Sequence, residues 1–414
     1  MANSACGDAP VGNPSSRGSR ILRSSGLVRS FREIEKGGID LNRPVVTLFS
    51  GGLDSTYLLY RLQQAGATQV HALSVDLGGD ETPDLALIVD KLGVRLHTVD
   101  ARDLFAEGYV APAVAAHAVY LDTHPISSSL SRPLIAKIAI ETAERVCAPT
   151  VLHTANRSQN SLRRLNGALE LLGFAGHFGS PYDLEPVDRA DKMRELRSLG
   201  LDVVAERAVS GDSNLWCREF ESGFLDDPES HLVPESLYRW SVPATAPLNE
   251  QIEISFRDGV PVAIDGARLP LAALVDLLNR RVGRHGLGRS SGLEHLADGT
   301  KVLEIREMPA AWLLLRSHRA LESATLDAEV IREKLHVEQL WVREALEGRW
   351  FGELRNACQA FIASTSSAVT GTVRWHLTVA GANTTSIVAA CPRYVRDREQ
   401  WERSSIQAEL NHLV

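Results

Sequence analysis

From Pro44 onward, short apolar runs alternate with longer amphipathic segments. The first run, residues 45–49, is rich in β-branched side chains, and a turn with two glycines and an amphipathic segment ending at Gly66 follow it. This order predicts a strand, a loop and a helix. Because the alternation continues to residue 154, we predict a parallel sheet covered by helices on both faces. The other predicted strands are 70–77, 94–99 and 150–154, and the other predicted helices are 82–93 (Thr82 as N-cap, Pro83 first), 104–118 and 132–147.

The pattern changes after about residue 197. Apolar runs at residues 252–256 and 260–264 flank Arg257-Asp258-Gly259, which predicts a β-hairpin. Helical spacing then predicts one helix over residues 271–282 and a longer helical region over 311–346. The N-terminal stretch is rich in glycine, serine, proline and arginine, so we expect it to be disordered and outside the fold. The predicted segments are a tail at 1–43, an α/β domain at 44–197 and an α+β domain at 198–377.

Composition excludes several classes of protein. The chain has 414 residues, 44% hydrophobic and 23% charged, which predicts a soluble globular protein of about two domains. A formal net charge of −8 argues against a nucleic-acid partner. No apolar run reaches the ~20 residues of a membrane-spanning helix, so no membrane partner is expected. The five cysteines are scattered without a C-x-x-C pair, which indicates neither a disulfide scaffold nor a zinc site and fits a reducing cytoplasm.

The sharpest candidate chemistry lies in the turn after the first predicted strand. Two glycines allow the backbone to turn tightly and to direct successive N–H groups at an anion in front of a helix. The turn is neither a Walker loop nor a G-x-G-x-x-G dinucleotide loop. In a parallel sheet, ligands bind beyond the carboxyl ends of the strands, so the polar residues at the other strand ends are expected beside it. The candidate residues are Ser50, Gly51, Gly52, Leu53, Asp54 and Ser55 in the turn, and Val75, Asp76 and His153 at the other strand ends.

The turn resembles the pyrophosphate-binding loop of the N-type ATP pyrophosphatases, whose domain is of the adenine nucleotide alpha hydrolase type. Further segments, in order, are similar to argininosuccinate synthase, and the likeness covers residues 44 to about 380. The resemblance implies an N-type ATP pyrophosphatase domain, then an α+β synthetase domain and a C-terminal arm, residues 378–414, that joins subunits in a tetramer. The similar segments are 129–137, 153–164, 210–228, 286–294, 318–323 and 370–374.

The resemblance also implies a reaction. The family transfers AMP from ATP onto the ureido oxygen of citrulline, expels pyrophosphate, and then lets the amine of aspartate displace AMP. ATP and Mg²⁺ are the implied cofactors, with Mg²⁺ held through the phosphates rather than by a protein site. Residues 50–55 would hold pyrophosphate, Asp54 and Ser55 would act in catalysis, and Val75, Asp76 and His153 would lie near the nucleotide.

The substrate positions are retained in part. Taken without the resemblance, Arg164 is expected at a helix surface and His153 as a structural histidine. An arginine fork suits a substrate carboxylate, and a glutamate can accept from an amine or a ureido N–H. The positions that keep the residue type implied for citrulline binding are Ser129, with Ser128 beside it, Asn160, Arg164, Ser210 and Glu294.

Other positions depart from the family. His124, Glu219 and Arg306 stand where the resemblance implies tyrosine, serine and tyrosine, and Asn156 and Ser161 stand where it implies the threonine and aspartate of the aspartate site. An unpaired buried charge costs several kcal/mol. Glu219 and Arg306 must therefore pair with each other or with a ligand unlike citrulline.

These departures decide the predicted function. We predict an ATP-dependent, AMP- and pyrophosphate-forming carbon–nitrogen ligase that adenylates a ureido or carboxyl oxygen of an amino-acid-like substrate, in specialised metabolism. The predicted substrates differ from citrulline and aspartate. Two alternatives stay open: a genuine argininosuccinate synthase of arginine biosynthesis, and a non-catalytic nucleotide-binding paralogue.

Overall fold

The predicted parallel sheet is present in the N-terminal half, where the described residues form six strands rather than the four that the alternation predicted. The computed structural model describes residues 26–80, 85–201, 209–244 and 249–412. Thr82 and Pro83, predicted to start a helix, lie outside the described residues. The elements of this half are β1 (Leu27–Val28), α1 (Phe31–Glu35), β2 (Val45–Leu48), α2 (Leu53–Gln64), β3 (Val70–Asp76), α3 (Leu85–Lys91), β4 (Arg95–Asp100), α4 (Arg102–Phe105), a π-helical turn (Ala106–Val110), α5 (Ala111–Ala115), β5 (Val119–Tyr120), β6 (His124–Pro125), α6 (Ser128–Arg145), β7 (Thr150–Leu152), α7 (Ser161–Leu171), β8 (His177–Gly179) and α8 (Arg189–Arg197).

The strand order β1-β8-β7-β2-β3-β4 makes β2 a central strand. Val45 and Val46 on β2 are fully buried, because helices cover both faces of a parallel sheet. From β2 the chain passes to β3 on one side, whereas β7 pairs with β2 on the other side. The loops after β2 and β7 therefore diverge, and a crevice opens at this switch point.

The expectation that residues 1–43 lie outside the fold was wrong for residues 26–43. Strand β1 pairs in parallel with β8 and extends the sheet. Ser30 caps α1 in a reciprocal capping box with Glu33. Phe31, 2% exposed, packs edge-on against Tyr57 and Tyr182. The prediction relied on the composition of the N-terminal stretch and did not use the S-x-x-E pattern that begins at Ser30. Residues 1–25 lie outside the described part of the chain.

The second half contains two antiparallel sheets, ordered β14-β15-β10-β9 and β13-β12-β11-β16-β17. The predicted hairpin at residues 252–264 is confirmed as β11 and β12, and the long helical region divides into α10 and α11. The elements are β9 (Ser210–Ser213), β10 (Arg218–Glu221), 3₁₀ turns (Gly223–Leu225 and Glu235–Leu237), β11 (Asn249–Arg257), β12 (Val260–Ile264), β13 (Ala267–Arg268), α9 (Leu271–Gly283), β14 (Arg289–His295), β15 (Lys301–Glu307), α10 (Pro309–Thr325), α11 (Ala328–Leu346), α12 (Glu353–Ser366), β16 (Gly371–Thr378), β17 (Gly381–Ala389) and α13 (Arg398–His412).

The boundary predicted at residue 378 was also misplaced. Strand β17 pairs with β16 along its length, so residues up to 389 belong to the five-stranded sheet. The β-branched run at residues 384–388 explains this, since such residues favour a pleated strand. Helix α13 follows this sheet, and none of its described residues is buried. None of the described helices is both long enough and apolar enough to cross a membrane.

The four-stranded sheet sits beside the end of β3. The amide of Leu215 donates to the carbonyl of Leu77 at 2.9 Å, and the amide of Asp80 donates to Oγ of Ser213 at 3.0 Å. Gly79 has φ +101°, and a Cβ there would lie 2.5 Å from Ser213 Oγ. Glycine is therefore required for this approach. The contact brings the second half of the chain over the crevice.

Candidate active site

The glycine loop joins β2 to α2 and leaves the first turn of α2 without a capping side chain. Gly51 has φ +70°, a conformation that favours glycine, and Gly52 is the N-cap. The serines fold the loop on itself, because Ser50 N donates to Ser55 Oγ at 3.4 Å and Ser55 Oγ donates to the Gly52 carbonyl at 3.1 Å. The first amides of a helix, here from Leu53 onward, lack intrahelical acceptors. The loop thus fits an anion such as a phosphate.

Asp54 lies in the first turn of α2, beside this loop. Its Oδ1 is 2.5 Å from Nζ of Lys192 on α8, and its carbonyl accepts a hydrogen bond of 2.9 Å from the Tyr182 hydroxyl. Lys192 was not among the site residues predicted from the sequence. No motif marks it, and its contact with Asp54 depends on how α8 packs against α2.

The nucleotide-side residues at the end of β3 have mainly local contacts. Val75 is half-buried, and Asp76 is the last residue of the strand. The carboxylate of Asp76 accepts a hydrogen bond of 2.8 Å from Gly78 N and lies 3.7 Å from Arg102. Asp76 therefore shapes the turn that leads into the second half of the chain.

His153, directly after β7, is 1% exposed and hydrogen-bonded within the protein. Its Nε2 lies 2.9 Å from Asn166 Oδ1, and its Nδ1 accepts from Ala155 N at 3.3 Å. Burial lowers the pKa of His153 to about 4, so the ring stays neutral at physiological pH. These contacts agree with the interpretation of His153 as a structural histidine.

The substrate positions of the second half lie on one face of the four-stranded sheet. Residues two apart on a strand share a face, and the pairing of Glu219 with both Asp212 and Arg306 aligns the strands. The opposite face carries an apolar cluster that includes Phe220 and Ile305. The polar face bears Ser210 and Asp212 from β9, Glu219 and Glu221 from β10, Ser290 and Glu294 from β14, and Glu304 and Arg306 from β15.

Arg306 is the centre of this face and is 1% exposed. Its guanidinium lies 3.1 Å from Glu219 Oε1 and 3.0 Å from Glu294 Oε2, and it also contacts Glu304. Glu219 and Arg306 thus pair with each other, one of the two outcomes left open by the sequence. Arg306 Nη1 has no partner among the described residues.

One guanidinium does not neutralise three carboxylates equally. Burial raises the pKa of Glu219, and burial together with the neighbouring carboxylates raises that of Glu304 to about 8. Burial alone would raise the pKa of Glu294 too, but Arg164, His124 and Arg306 hold it well below its usual range. Glu294 is therefore the fixed anion of the cluster, and Glu304 binds a proton at neutral pH.

The residues of the first half that keep the residue type implied for citrulline binding contact this face of the sheet. Arg164 is 2% exposed, so its placement at the surface was wrong. It contacts Glu294 and donates to Ser128 Oγ at 2.7 Å, and Asn160 Nδ2 donates to Glu294 Oε1 at 2.8 Å. Ser129 Oγ is buried without a described partner. The structure thus joins α6, α7 and β14 in one site between the two halves.

The remaining departures lie around this cluster. His124 is fully buried, with Nε2 3.8 Å from Glu294 Oε2, and burial lowers its pKa. Asn156 accepts hydrogen bonds from Ser158 in a local turn. Ser161 Oγ accepts from Arg132 Nε at 3.0 Å.

Arg132 is a second site residue that the sequence analysis did not single out. Its Nη2 also lies 3.0 Å from Asp212 Oδ2, so it bridges α7 and β9. Ser210, in contrast, is exposed at the edge of the sheet. Period-2 alternation of polar residues in β10 and β15 could have identified Glu221 and Glu304, and Arg132 lies in the segment 129–137 that the resemblance marks, although no role was predicted for it. Among the described residues, no group of three or more His, Cys, Asp or Glu side chains could hold a metal ion.

Comparisons with known proteins match both halves of the chain. The arginosuccinate synthase N-terminal HUP domain matches residues 44–172, and the arginosuccinate synthase C-terminal domain matches residues 209–389. Argininosuccinate synthase of Rubrobacter xylanophilus is 37% identical over 349 residues, which cover 82% of this chain and 85% of that protein. Argininosuccinate synthase of Methanothermobacter thermautotrophicus is 36% identical over 335 residues, 80% of this chain and 83% of that protein.

Solved structures resemble a smaller part of the chain. An NH3-dependent NAD synthetase from Campylobacter jejuni aligns over 41% of this chain and 70% of its own, with 16% identity and a TM-score of 0.30. An NMN synthetase from Francisella tularensis aligns over 43% of this chain and 71% of its own, with 12% identity and a TM-score of 0.32.

Proposed function

Because the chain belongs to the argininosuccinate synthase family, we propose that it is an ATP-dependent carbon–nitrogen ligase whose substrates differ from citrulline and aspartate. Ligases of this family convert ATP to AMP and pyrophosphate. An oxygen of the first substrate attacks the α-phosphorus of ATP and expels pyrophosphate, and an amine then attacks the activated carbon and releases AMP. The atoms balance without an enzyme nucleophile, so positioning and charge stabilisation supply the rate.

The phosphate loop supports the first step of this proposal. Its uncapped first-turn amides fit the β- and γ-phosphates, and its tight turn at Gly51 permits close approach of the backbone. In this proposal the phosphates of ATP would hold Mg²⁺, and Asp54 supplies a carboxylate beside them in the loop. Ser50 and Ser55 hold the loop in shape through their mutual contacts.

The observation that carries the choice of substrates is the buried contact of Arg306 with Glu219, Glu294 and Glu304. The resemblance implies neutral hydroxyls at residues 219 and 306, which could bond a neutral ureido substrate. Here a charged pair occupies both positions. Ser161 in place of an aspartate also removes a charge-assisted hydrogen bond for the amine substrate, an effect of roughly 1.5–3 kcal/mol. The pocket therefore favours a different amino-acid-like substrate and a different amine.

Synthesis of argininosuccinate is the second candidate, because Asn160, Arg164 and Glu294 are retained and contact one another. The deciding experiment measures pyrophosphate release from ATP with citrulline plus aspartate, and then with a panel of other amino acids, carboxylic acids and amines. We expect release with a pair from the panel and little with citrulline plus aspartate. Robust release with citrulline plus aspartate would establish the second candidate, and release of phosphate instead of pyrophosphate would refute the reaction type.

We extend the proposal to assembly and location. Trp401, Ile406 and Leu410 of α13 are each more than half exposed, which fits a helix that packs on other subunits of a tetramer. The scattered cysteines fit the cytoplasm, and a role in specialised metabolism follows from the altered pocket. Sedimentation equilibrium of the wild type and of Trp401→Glu tests the assembly: we expect a tetramer that dissociates in the variant.

A further inference from the structure

Helix α8 directs a buried ammonium group at the phosphate loop. The side chain of Lys192 is 10% exposed, and its Nζ lies 2.5 Å from Asp54 Oδ1 and 5.3 Å from the centre of the Tyr182 ring. Asp54, in contrast, is 38% exposed in its side chain. The cation is therefore enclosed from behind by protein, while the carboxylate that it contacts faces the open side of the loop.

Contacts on both sides of the helix fix this position. The Tyr57 hydroxyl of α2 donates to Glu195 Oε2 of α8 at 3.1 Å, and the Tyr182 hydroxyl donates to the Asp54 carbonyl at 2.9 Å. Tyr182 in turn packs edge-on against Phe31, with ring centroids 5.0 Å apart. Lys192 is thus positioned relative to the loop by packing and not only by its ion pair.

The hydrogen-bonding capacity of Lys192 is incompletely used. An ammonium has three N–H donors, and within the described part of the chain Asp54 is the acceptor that they reach. Two donors remain in a partly dehydrated position, where an unsatisfied polar group is costly. Arg157, a cation in the loop after β7, pairs with Asp183 at 2.8 Å and is 62% exposed.

We propose that Lys192 is a ligand of the outer phosphates of the nucleotide. The proposal rests on the assignment of the loop as the ATP site. The two open N–H donors bind phosphate oxygens in front of α2 while Asp54 keeps the ammonium in place. The positive charge adds to the partial charge of the helix N-terminus, and together they stabilise the charge that develops on departing pyrophosphate.

This role predicts different effects on ligands that carry the outer phosphates and on ligands that lack them. Lys192 should contribute to the binding of pyrophosphate and ATP, which carry the outer phosphates, and should contribute little to the binding of AMP. A purely structural ion pair would have no such preference. Loss of a charge-assisted hydrogen bond to phosphate weakens binding roughly 10- to 100-fold.

The test measures binding of pyrophosphate and of AMP, each with Mg²⁺, by titration calorimetry on the full chain. Lys192→Met removes the charge at similar length, and Lys192→Arg keeps it. Arg194→Met is the matched control, because Arg194 lies on the same helix but pairs with exposed Asp191. We expect Lys192→Met to lose at least tenfold in pyrophosphate affinity and less than twofold in AMP affinity, with Lys192→Arg retaining most of the affinity and the control unchanged.

The outcomes separate this inference from the proposed function. Wild-type affinity of Lys192→Met for pyrophosphate would overturn the role of Lys192 and leave the loop assignment intact. Equal losses for pyrophosphate and AMP would also overturn it, because they would indicate a structural effect. Wild-type protein that binds neither ATP nor pyrophosphate would overturn both the inference and the assignment of the loop.

Discussion

Exchanging the buried pair of Glu219 and Arg306 for the neutral residues that the family resemblance implies tests the pocket most sharply. In Arg306→Tyr, Glu219 and Glu304 lose their guanidinium partner, whereas Glu294 keeps Arg164. Removing one member of a buried ion pair costs about 3–5 kcal/mol of unfolding free energy. In Glu219→Ser, Arg306 keeps Glu294 as its charged partner, so we expect a cost of about 1 kcal/mol or less.

The double variant should be more stable than the sum of the single changes predicts. Glu219→Ser removes the carboxylate that Arg306→Tyr leaves uncompensated, so the two changes should couple by at least about 1 kcal/mol. Urea unfolding of the wild type, both single variants and the double variant measures this coupling at pH 7. Additive costs would refute the direct pairing of the two residues.

The same double variant should change substrate preference. Its pocket regains two neutral hydroxyls, and we expect pyrophosphate release with citrulline to rise relative to release with the native substrate. The measurement is the ratio of kcat/KM for the two substrates. An unchanged ratio in a folded double variant would refute the assignment of residues 219 and 306 to the substrate pocket.

Three further predictions concern the loop, the cluster and the domain contact. Asp54→Ala should abolish pyrophosphate formation while circular dichroism remains that of the wild type; retained turnover would exclude Asp54 from catalysis. Burial raises the pKa of Glu304 to about 8, so the folded state binds this proton more tightly than the unfolded state does. The unfolding free energy should therefore fall as pH rises from about 4.5 to 8, by at most ~1.4 kcal/mol per pH unit. Urea midpoints across this range should flatten in Glu304→Gln, and an equal slope in that variant would contradict the assignment. Gly79→Ala should lower the unfolding free energy by more than about 1 kcal/mol, because φ is +101° at this residue and a Cβ would lie 2.5 Å from Ser213 Oγ. Urea unfolding measures this change. An unchanged midpoint would show that the contact relaxes freely.

Local sequence patterns predicted most of the parallel sheet. The strands at Val45–Leu48 and Val70–Asp76 are mainly apolar runs. The turn after the first of them contains two glycines, a pattern that can be recognised from the sequence alone. The segment from Phe31 was missed because the prediction relied on composition and did not use the capping pattern at Ser30. The strand Gly381–Ala389 was placed in an arm because the boundary at residue 378 was taken from the family resemblance, although the strand pairs with the one directly before it in the chain.

The site was predicted where a motif marks it and missed where packing creates it. Arg164 and Glu294 lie in segments that the resemblance marks, and the structure places them in contact. Lys192 reaches the site from a helix with no recognised segment, and Arg132 lies in the recognised segment 129–137 but was not assigned a contact there. Their roles depend on how α8 and α6 pack, which is a property of the whole fold.

The central claim is that the loop at residues 50–55 holds the two outer phosphates of ATP while AMP is transferred to an oxygen. A crystal structure of the full chain with Mg²⁺ and a non-hydrolysable ATP analogue tests it directly. We expect the β- and γ-phosphates against the first-turn amides of α2, within hydrogen-bonding distance of Lys192. A triphosphate bound elsewhere, or one whose outer phosphates point away from this loop, would contradict it.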